Sequence, residues 1–423
     1  MKILFLVYHG FSEVSGISKK IHAQVKGLRQ SGHEVHLCYY DFAANGHRCR
    51  YIDDEVLADY GTGIMAGIRQ RTEYDRLFDY CQLNGIELVY ARCFQNANPW
   101  LIRFFRRLRK AGIRAVTEIP TYPYDEEFKN FFWTMRMELK VDQLFRNRLY
   151  RQMDALVTFS DAERIFGQRT IRISNGVDFD SIPLHTPVTP STPATPLTPV
   201  TPLTPVTPST PATPLTSATP LTSATPLHLI GVAEVHVWHG FDRMVAGIGE
   251  YERRAKRGEW REKSDRKEEC RREVFFHIVG GVHPNTMRIY FQPLIEKYSI
   301  QDKIIFHGQL FGDELTKVFN QCQFAVGSLG RHRSGITVIK TLKNREYATR
   351  GIPFIYSEQD SDFDHQPYVM HAPADESPVN IEAIIDFVDH FTMKPAEIRK
   401  TVEHLTWKIQ MQRVVDAVMK QTN

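Results

Sequence analysis

The sequence predicts an α/β protein made of two doubly wound parallel-sheet domains that face a cleft. Three observations carry this. The first forty residues read strand, loop, helix, strand. The same alternation resumes near residue 228 after a break of different composition. And 423 residues exceed what one hydrophobic core usually organises.

The first unit begins with an apolar run, Ile3 to Val7, followed by a loop from His9 to Gly16. Ile17, Ile21, Val25 and Leu28 then recur at helical spacing, Ser31-Gly32 stops the helix, and Val35 to Tyr40 forms the next strand. Strand, helix and strand in this order imply a right-handed crossover and parallel pairing. Further strands are expected at Leu88–Tyr90, Ala115–Thr117 and Ala155–Thr158, which closes the first domain near Asp180. The second domain is expected to place strands at Leu229–Val232, Val274–Val279, Lys303–Phe306, Phe324–Val326 and Pro353–Tyr356. Two Rossmann-like domains in succession form a cleft, with ligands at the carboxyl ends of the strands facing it. The division expected is residues 1–180, a linker over 181–227, a second domain over 228–395 and a closing segment over 396–423. In that last segment Ile398, Val402, Leu405, Ile409 and Val414 read as one or two helices.

Composition narrows the class. A hydrophobic share of 42% with 24% charged residues is ordinary for a globular protein. A net charge of +4 does not by itself point to nucleic acid. The six cysteines are scattered without a C-x-x-C pair, which fits a reducing compartment. No apolar run is long enough to cross a bilayer, and Met1 to Val7 reads as a strand rather than a leader, so a cytoplasmic location is expected.

Three segments stand outside this pattern. Thr186 to Leu227 is built from Thr-Pro-x triplets, and TPVTPSTPATPLT occurs at Thr186 and again at Thr204. Proline at every third position forbids helix and ladder and favours an extended, solvated insertion. A docking tract for a proline-recognising partner is the alternative, with no other support in the sequence. Arg253 to Arg272 mixes both signs of charge and reads as a solvated helix end and loop. Trp100 to Lys110 sets Leu101, Phe104, Phe105 and Leu108 among four arginines and a lysine. It reads either as a surface helix packed on its apolar face or as a peripheral patch for anionic head groups.

A nucleotide diphosphate needs backbone N–H groups, positive charge and close approach. Gly16, just before a helix, serves either turn geometry or a ligand. Ser328 to Gly335 leaves a strand and enters a helix expected from about Thr337 to Arg350. Arg331, Arg333, Gly335, Thr337 and the helix dipole together suit phosphate. Glu346 shares a helix face with Leu342, beside Lys343, so a carboxylate for sugar or ribose hydroxyls sits near a cation for phosphate. A lone helical glutamate is otherwise a solvated charge. Ser361 to Asp364 holds a carboxylate pair but reads as a turn, and no metal site is expected.

Several motifs occur in an order that resembles family-4 glycosyltransferases. They are Ser15-Gly16, Gly32-His33-Glu34-Val35, Asn175-Gly176-Val177-Asp178, Trp238 to Arg243 and Arg345 to Pro353. Glu118 to Tyr124 (EIPTYPY) resembles a subgroup that builds bacterial surface polysaccharides. The resemblance implies the GT-B fold, a retaining hexosyl transfer from a nucleotide sugar (UDP favoured over GDP) and no cofactor beyond that substrate. It also implies a polysaccharide or lipid-linked acceptor held by the first domain, and a last helix that crosses back to that domain. Glu346 matches the second glutamate of the family's E-x7-E motif, the ribose ligand, while the first falls on Val338. The family's diphosphate-binding arginine and lysine fall on Glu234 and His239, which leaves Arg243, Arg331, Arg333 and Lys343 as substitutes. On the acceptor side Glu118 is a candidate base or orienting group, or else a structural carboxylate. Tyr122 and Tyr124 offer faces for stacking a sugar, and Arg92 a partner for an acceptor phosphate.

Overall fold

The computed structural model describes residues 1–12, 15–92, 96–122, 125, 133–187, 225–257 and 272–420. Tyr124, most of the Thr-Pro tract and most of the charged insertion after Lys256 therefore lie outside the described residues. The first domain runs β1 (Lys2–Leu6), α1 (Gly16–Gln30), β2 (Glu34–Phe42), β3 (Arg48–Ile52), β4 (Glu55–Asp59), α2 (Gly63–Thr72) and α3 (Asp75–Leu83). It continues through β5 (Leu88–Ala91), α4 (Pro99–Lys110), β6 (Arg114–Ile119), α5 (Trp133–Tyr150), β7 (Ala155–Thr158), β8 (Arg164–Ile165) and β9 (Gln168–Arg172). These strands form one nine-stranded sheet in the order β4-β3-β2-β1-β5-β6-β7-β9-β8.

The second domain runs β10 (Leu227–Val232), α6 (Phe241–Lys256), β11 (Val274–Val279), α7 (Pro284–Thr286), α8 (Gln292–Tyr298), β12 (Ile304–Gly308), α9 (Gly312–Gln321) and β13 (Phe324–Val326). Then follow α10 (Leu342–Arg350), β14 (Phe354–Tyr356), β15 (Val369–His371), α11 (Ile381–His390), α12 (Pro395–Thr401) and α13 (Trp407–Met419). Its sheet is six-stranded, β12-β11-β10-β13-β14-β15, and parallel throughout.

Both sheets are covered on both faces, which is why their strands read as continuous apolar runs rather than alternating ones. In β1, Leu4 and Leu6 face the cluster formed with α3, α4 and α5, while Ile3 and Phe5 face α1 and α13. The chain thus returns to the first domain at its end: Trp407, Met411 and Val414 pack with Ile21 and Val25. Gly176 admits this crossing, since a Cβ there would lie 2.5 Å from the Trp407 ring.

The β3–β4 hairpin escaped the apolar-run reading because its strands are half polar and its turn is Asp53-Asp54, not a glycine turn. Both aspartates take left-handed backbone, φ 47° and 73°, the conformation a two-residue hairpin turn of this hand requires. The charged insertion also needs correction at its end. Arg272 is buried, donates to the Thr225 carbonyl and pairs with Asp389, so it anchors the domain rather than facing solvent.

Three histidines cross the second sheet in a hydrogen-bonded row. His228 Nδ1 lies 2.8 Å from His277 Nε2, and His277 Nδ1 lies 2.9 Å from His307 Nε2. Burial pushes His277 from its ordinary 6.5 down to about 3, and neighbouring His228 and His307 add to the effect. Burial likewise lowers His228 to about 4. The folded row is neutral, whereas the unfolded chain takes up protons below pH 6.5. Stability is therefore full above that value and is lost as pH falls towards 4 and then 3. Denaturant unfolding at pH 5 should show a loss of about 2 kcal/mol from His277 alone relative to pH 7.5. A His277→Phe variant should lose less than the parent over the same interval.

Candidate functional site

Among its parallel strands each sheet reverses order at one point, between β1 and β5 in the first and between β10 and β13 in the second. Ligands bind beyond the carboxyl ends of the strands at such points. Here the two points face one cleft of about 850 Å³, lined from both domains. The first domain contributes Tyr8, His9, Gly16, Lys20, Arg92, Tyr122 and Asn175; the second contributes Glu234, His239, Arg331, Val338, Lys340, Lys343 and Glu346.

On the second-domain side the loops after β10 and β13 touch backbone to backbone. A Cβ on Gly240, whose φ is +63°, would lie 2.5 Å from the Gly330 nitrogen, so only glycine lets these loops close. His239 rides on the first loop. Its Nδ1 accepts from the His236 N–H at 3.0 Å, which leaves the proton on Nε2. Burial, then the charges of Lys343 and Arg331, hold it well below its ordinary value, so the ring is a neutral N–H donor.

Lys343 sits in the first turn of α10. Its ammonium is buried and has no hydrogen-bond partner among the described residues, and burial followed by repulsion from Arg331 holds it well below its ordinary value. Behind it lies Glu358, 2% exposed, with both carboxylate oxygens unpartnered. Burial raises the Glu358 carboxyl above its ordinary value against the pull of Arg331 and Lys343. A buried, unpartnered ammonium beside a guanidinium and an N–H donor is an incomplete cluster that an anion would complete. Glu346 lines the same end, partly exposed, with Arg350 Nη2 2.9 Å from its Oε1.

The helix start differs from the expected Thr337. Gly335 takes left-handed backbone (φ +68°). Thr337 O accepts from the Gln359 N–H at 2.6 Å, and the Ile339 N–H donates to the Gln359 carbonyl at 3.0 Å. Bridging to this neighbouring segment keeps 337–339 extended, and the helix begins at Leu342. Its amino end still opens on the cleft through Thr341, Leu342 and Lys343.

Of the remaining cations, two are spent elsewhere. Arg243 is 2% exposed, donates to the carbonyls of Ser377 and Leu329 and does not line the cleft. Arg333 forms a fork on Asp242 at 2.9 and 2.7 Å and also pairs with Glu376. It braces the loop from the far side, and neither it, Gly335 nor Thr337 lines the cleft. Gly16 does line it, with ordinary backbone and open space where a Cβ would stand, so neither turn geometry nor packing requires a glycine there.

On the first-domain side Glu118 does not line the cleft and stands as a structural carboxylate. It is fully buried, pairs with Lys20 and Arg92 at 3.1 Å each, and accepts from Gln24 and Tyr90 at 2.7 Å each. Burial alone would raise its pKa. Lys20, Arg92 and these hydrogen bonds outweigh it and hold the carboxyl near 2. Glu118 instead anchors two cations at the cleft wall. Tyr122 lines the cleft and packs edge-on against Phe166.

Sequence reasoning missed Lys20, Glu358 and Arg345. Lys20 lies one turn into α1, on the side that faces the cleft. Glu358 follows β14 at a strand end, where a carboxylate merits notice. Arg345 is completely buried, bonded to Asp360 at 2.6 and 3.0 Å and to Asp362. Its Nε also donates to the Asn175 carbonyl at 2.9 Å, and Asn175 Nδ2 donates to the Lys340 carbonyl at 2.6 Å. Two motifs singled out separately in the sequence thus meet in space and tie the domains together beside the cleft. Among the described residues no group of three or more His, Cys, Asp or Glu is placed to hold a metal ion.

No family model and no curated protein sequence matches the chain. Solved structures do. HepE of Anabaena in complex with UDP superposes over all of both chains, with a TM-score of 0.55 and 11% identity. Sucrose-phosphate synthase from Thermosynechococcus elongatus does so at 0.56 and 12%. The catalytic domain of starch synthase IV from Arabidopsis thaliana, bound to ADP and acarbose, gives 0.57 at 11%, over 99% of this chain and 98% of that one.

The fold is GT-B. At such identities the likeness carries architecture alone, and in the GT-B frame the cleft between the sheets is the place where this chain must be read for itself.

Proposed function

We propose that this chain is a glycosyltransferase that moves a hexose from a UDP-linked donor to a polysaccharide or lipid-linked acceptor. The observation that carries the reading is the buried, unpartnered Lys343 ammonium beside Arg331 and the His239 Nε2–H, at the second sheet's crossover point. In this reading the three groups hold the diphosphate, and Glu346 takes the ribose hydroxyls. As the sugar–phosphate bond breaks, negative charge grows on the leaving oxygen, where fixed cations and donors stabilise it most. Lys20, Arg92 and Tyr122 across the cleft position the acceptor. With Glu118 held ionised and out of reach, the departing diphosphate itself accepts the acceptor's hydroxyl proton, which favours a retaining course. Membership of glycosyltransferase family 4, a role in surface-polysaccharide synthesis and a cytoplasmic site of action complete the proposal. A lipid-linked acceptor would place that work at the inner face of a membrane.

Val338 favours a second reading, a nucleotide binder without turnover, because it lines the cleft where the family resemblance leads one to expect a sugar-binding carboxylate. Calorimetry with UDP, GDP and their glucose conjugates separates binders from non-binders. Slow hydrolysis of bound UDP-sugar then separates enzyme from binder. Glu346→Ala should weaken UDP binding about tenfold or more, the worth of a hydrogen bond to a charged group. An unchanged affinity would remove Glu346 from the site.

A further inference from the structure

Three neighbouring helices of the first domain share an unusual surface. α4 packs against both α2 and α5, and Arg71 of α2 reaches Glu138 of α5 at 3.0 Å. On the outward side of α2 stand Ile64, 85% exposed, and Met65, 61% exposed, with Ile68 one turn on. On α5 the corresponding stripe is Met137, Val141 and Leu144, the last 70% exposed. Burial of Leu101, Phe104, Phe105 and Leu108 turns the basic side of α4 outward between them.

Charge segregates to the same place. The three helices contain eleven basic and two acidic residues, an excess of nine. The whole chain has a net charge of only +4, so the remaining residues carry five more acidic than basic side chains. Arg103, Arg106, Lys110 and Lys140 are exposed, and none forms a side-chain hydrogen bond or ion pair with a described residue. Exposed leucine and isoleucine on α2 and α5, beside the outward basic side chains of α4, match what an anionic bilayer surface accepts. The apolar side chains enter the acyl boundary and the cations meet the head groups.

We infer that the α2–α4–α5 face docks this protein on membranes rich in anionic phospholipid. The occupant is a lipid surface rather than a second copy of the chain, because two such faces would set nine excess positive charges against nine. The contact gives a lipid-linked acceptor a route to the cleft, and in that respect rests on the transferase reading. The binding itself does not.

The test is flotation of the full chain with vesicles of phosphatidylcholine alone and of phosphatidylcholine with about one third phosphatidylglycerol. The parent should float with the anionic vesicles only. Each basic residue near such a surface contributes about fivefold to partitioning. Arg103→Glu with Arg106→Glu should therefore cut binding by more than about tenfold, as should Ile64→Ser with Leu144→Ser. Both variants should keep the parent's melting temperature and UDP affinity, which separates loss of docking from misfolding and from failure of the nucleotide site. Equal flotation with neutral vesicles, or undiminished binding by the arginine variant, would overturn the inference. So would a dimer in sedimentation velocity that the Ile64→Ser, Leu144→Ser variant disperses, since that assigns the face to a protein partner.

Discussion

Lys343→Ala should lower the affinity for UDP by about ten- to a hundredfold. Charge-assisted hydrogen bonds are worth about 1.5–3 kcal/mol, and about 1.4 kcal/mol is a factor of ten. The protein already bears the cost of burying this ammonium, which has no hydrogen-bond partner among the described residues. The same burial, reinforced by Arg331, holds the lysine well below its ordinary value. A bound diphosphate favours the charged form and raises that value, so binding takes up protons at and above neutral pH. UDP affinity should accordingly fall as pH rises over the interval from about 7 to 8.5, well below the range in which an ordinary lysine loses its proton. A lysine at its ordinary 10.5 would give a flat profile over that interval. Titration calorimetry in buffers of different ionisation heat reads the proton uptake directly, and the Lys343→Ala variant should lack it.

Arg345→Ala should destabilise the protein by about 3–5 kcal/mol, the usual cost of removing one partner from a fully buried ion pair. Arg345 and Asp360 are both completely buried, so the change strands the Asp360 carboxylate without its counter-charge. It also releases the Thr341 and Asn175 carbonyls, to which the guanidinium donates at 3.0 and 2.9 Å. The first of these sets the start of α10 and the second ties the two domains. Denaturant unfolding should show the loss, and UDP binding should weaken with it because Lys343 rides on the same turn. A variant within about 1 kcal/mol of the parent would mean that the network is not an anchor.

Much of the architecture was legible because both sheets are buried on both faces. Phe324–Val326 is wholly apolar, Val274–Val279 is apolar but for His277 and Ala155–Thr158 but for Thr158, and each forms a strand over those residues. Elements that pair at the margins were not legible. β3 and β4 are short and carry charged residues on either side of an Asp-Asp turn, and β15 is only three residues long. The site divided along similar lines. Lys343, Glu346, Arg331, His239, Arg92 and Tyr122 do line one cleft, because a strand-to-helix connection at a crossover point must deliver its residues there. Whether a given arginine is available was not legible. Arg333, which the loop's sequence offers to an anion, is committed to Asp242 and Glu376, partners supplied by distant elements. Glu118 illustrates the same limit: its strand position suggested a base, and the two cations that fix its charge come from α1 and from the loop after β5.

The most direct test is a structure of the protein with UDP bound. The account predicts the β-phosphate within hydrogen-bonding distance of Lys343 Nζ and His239 Nε2, beside Arg331, with the ribose hydroxyls on Glu346. UDP seated elsewhere, or a saturated crystal in which Lys343 keeps no anionic partner, would contradict it.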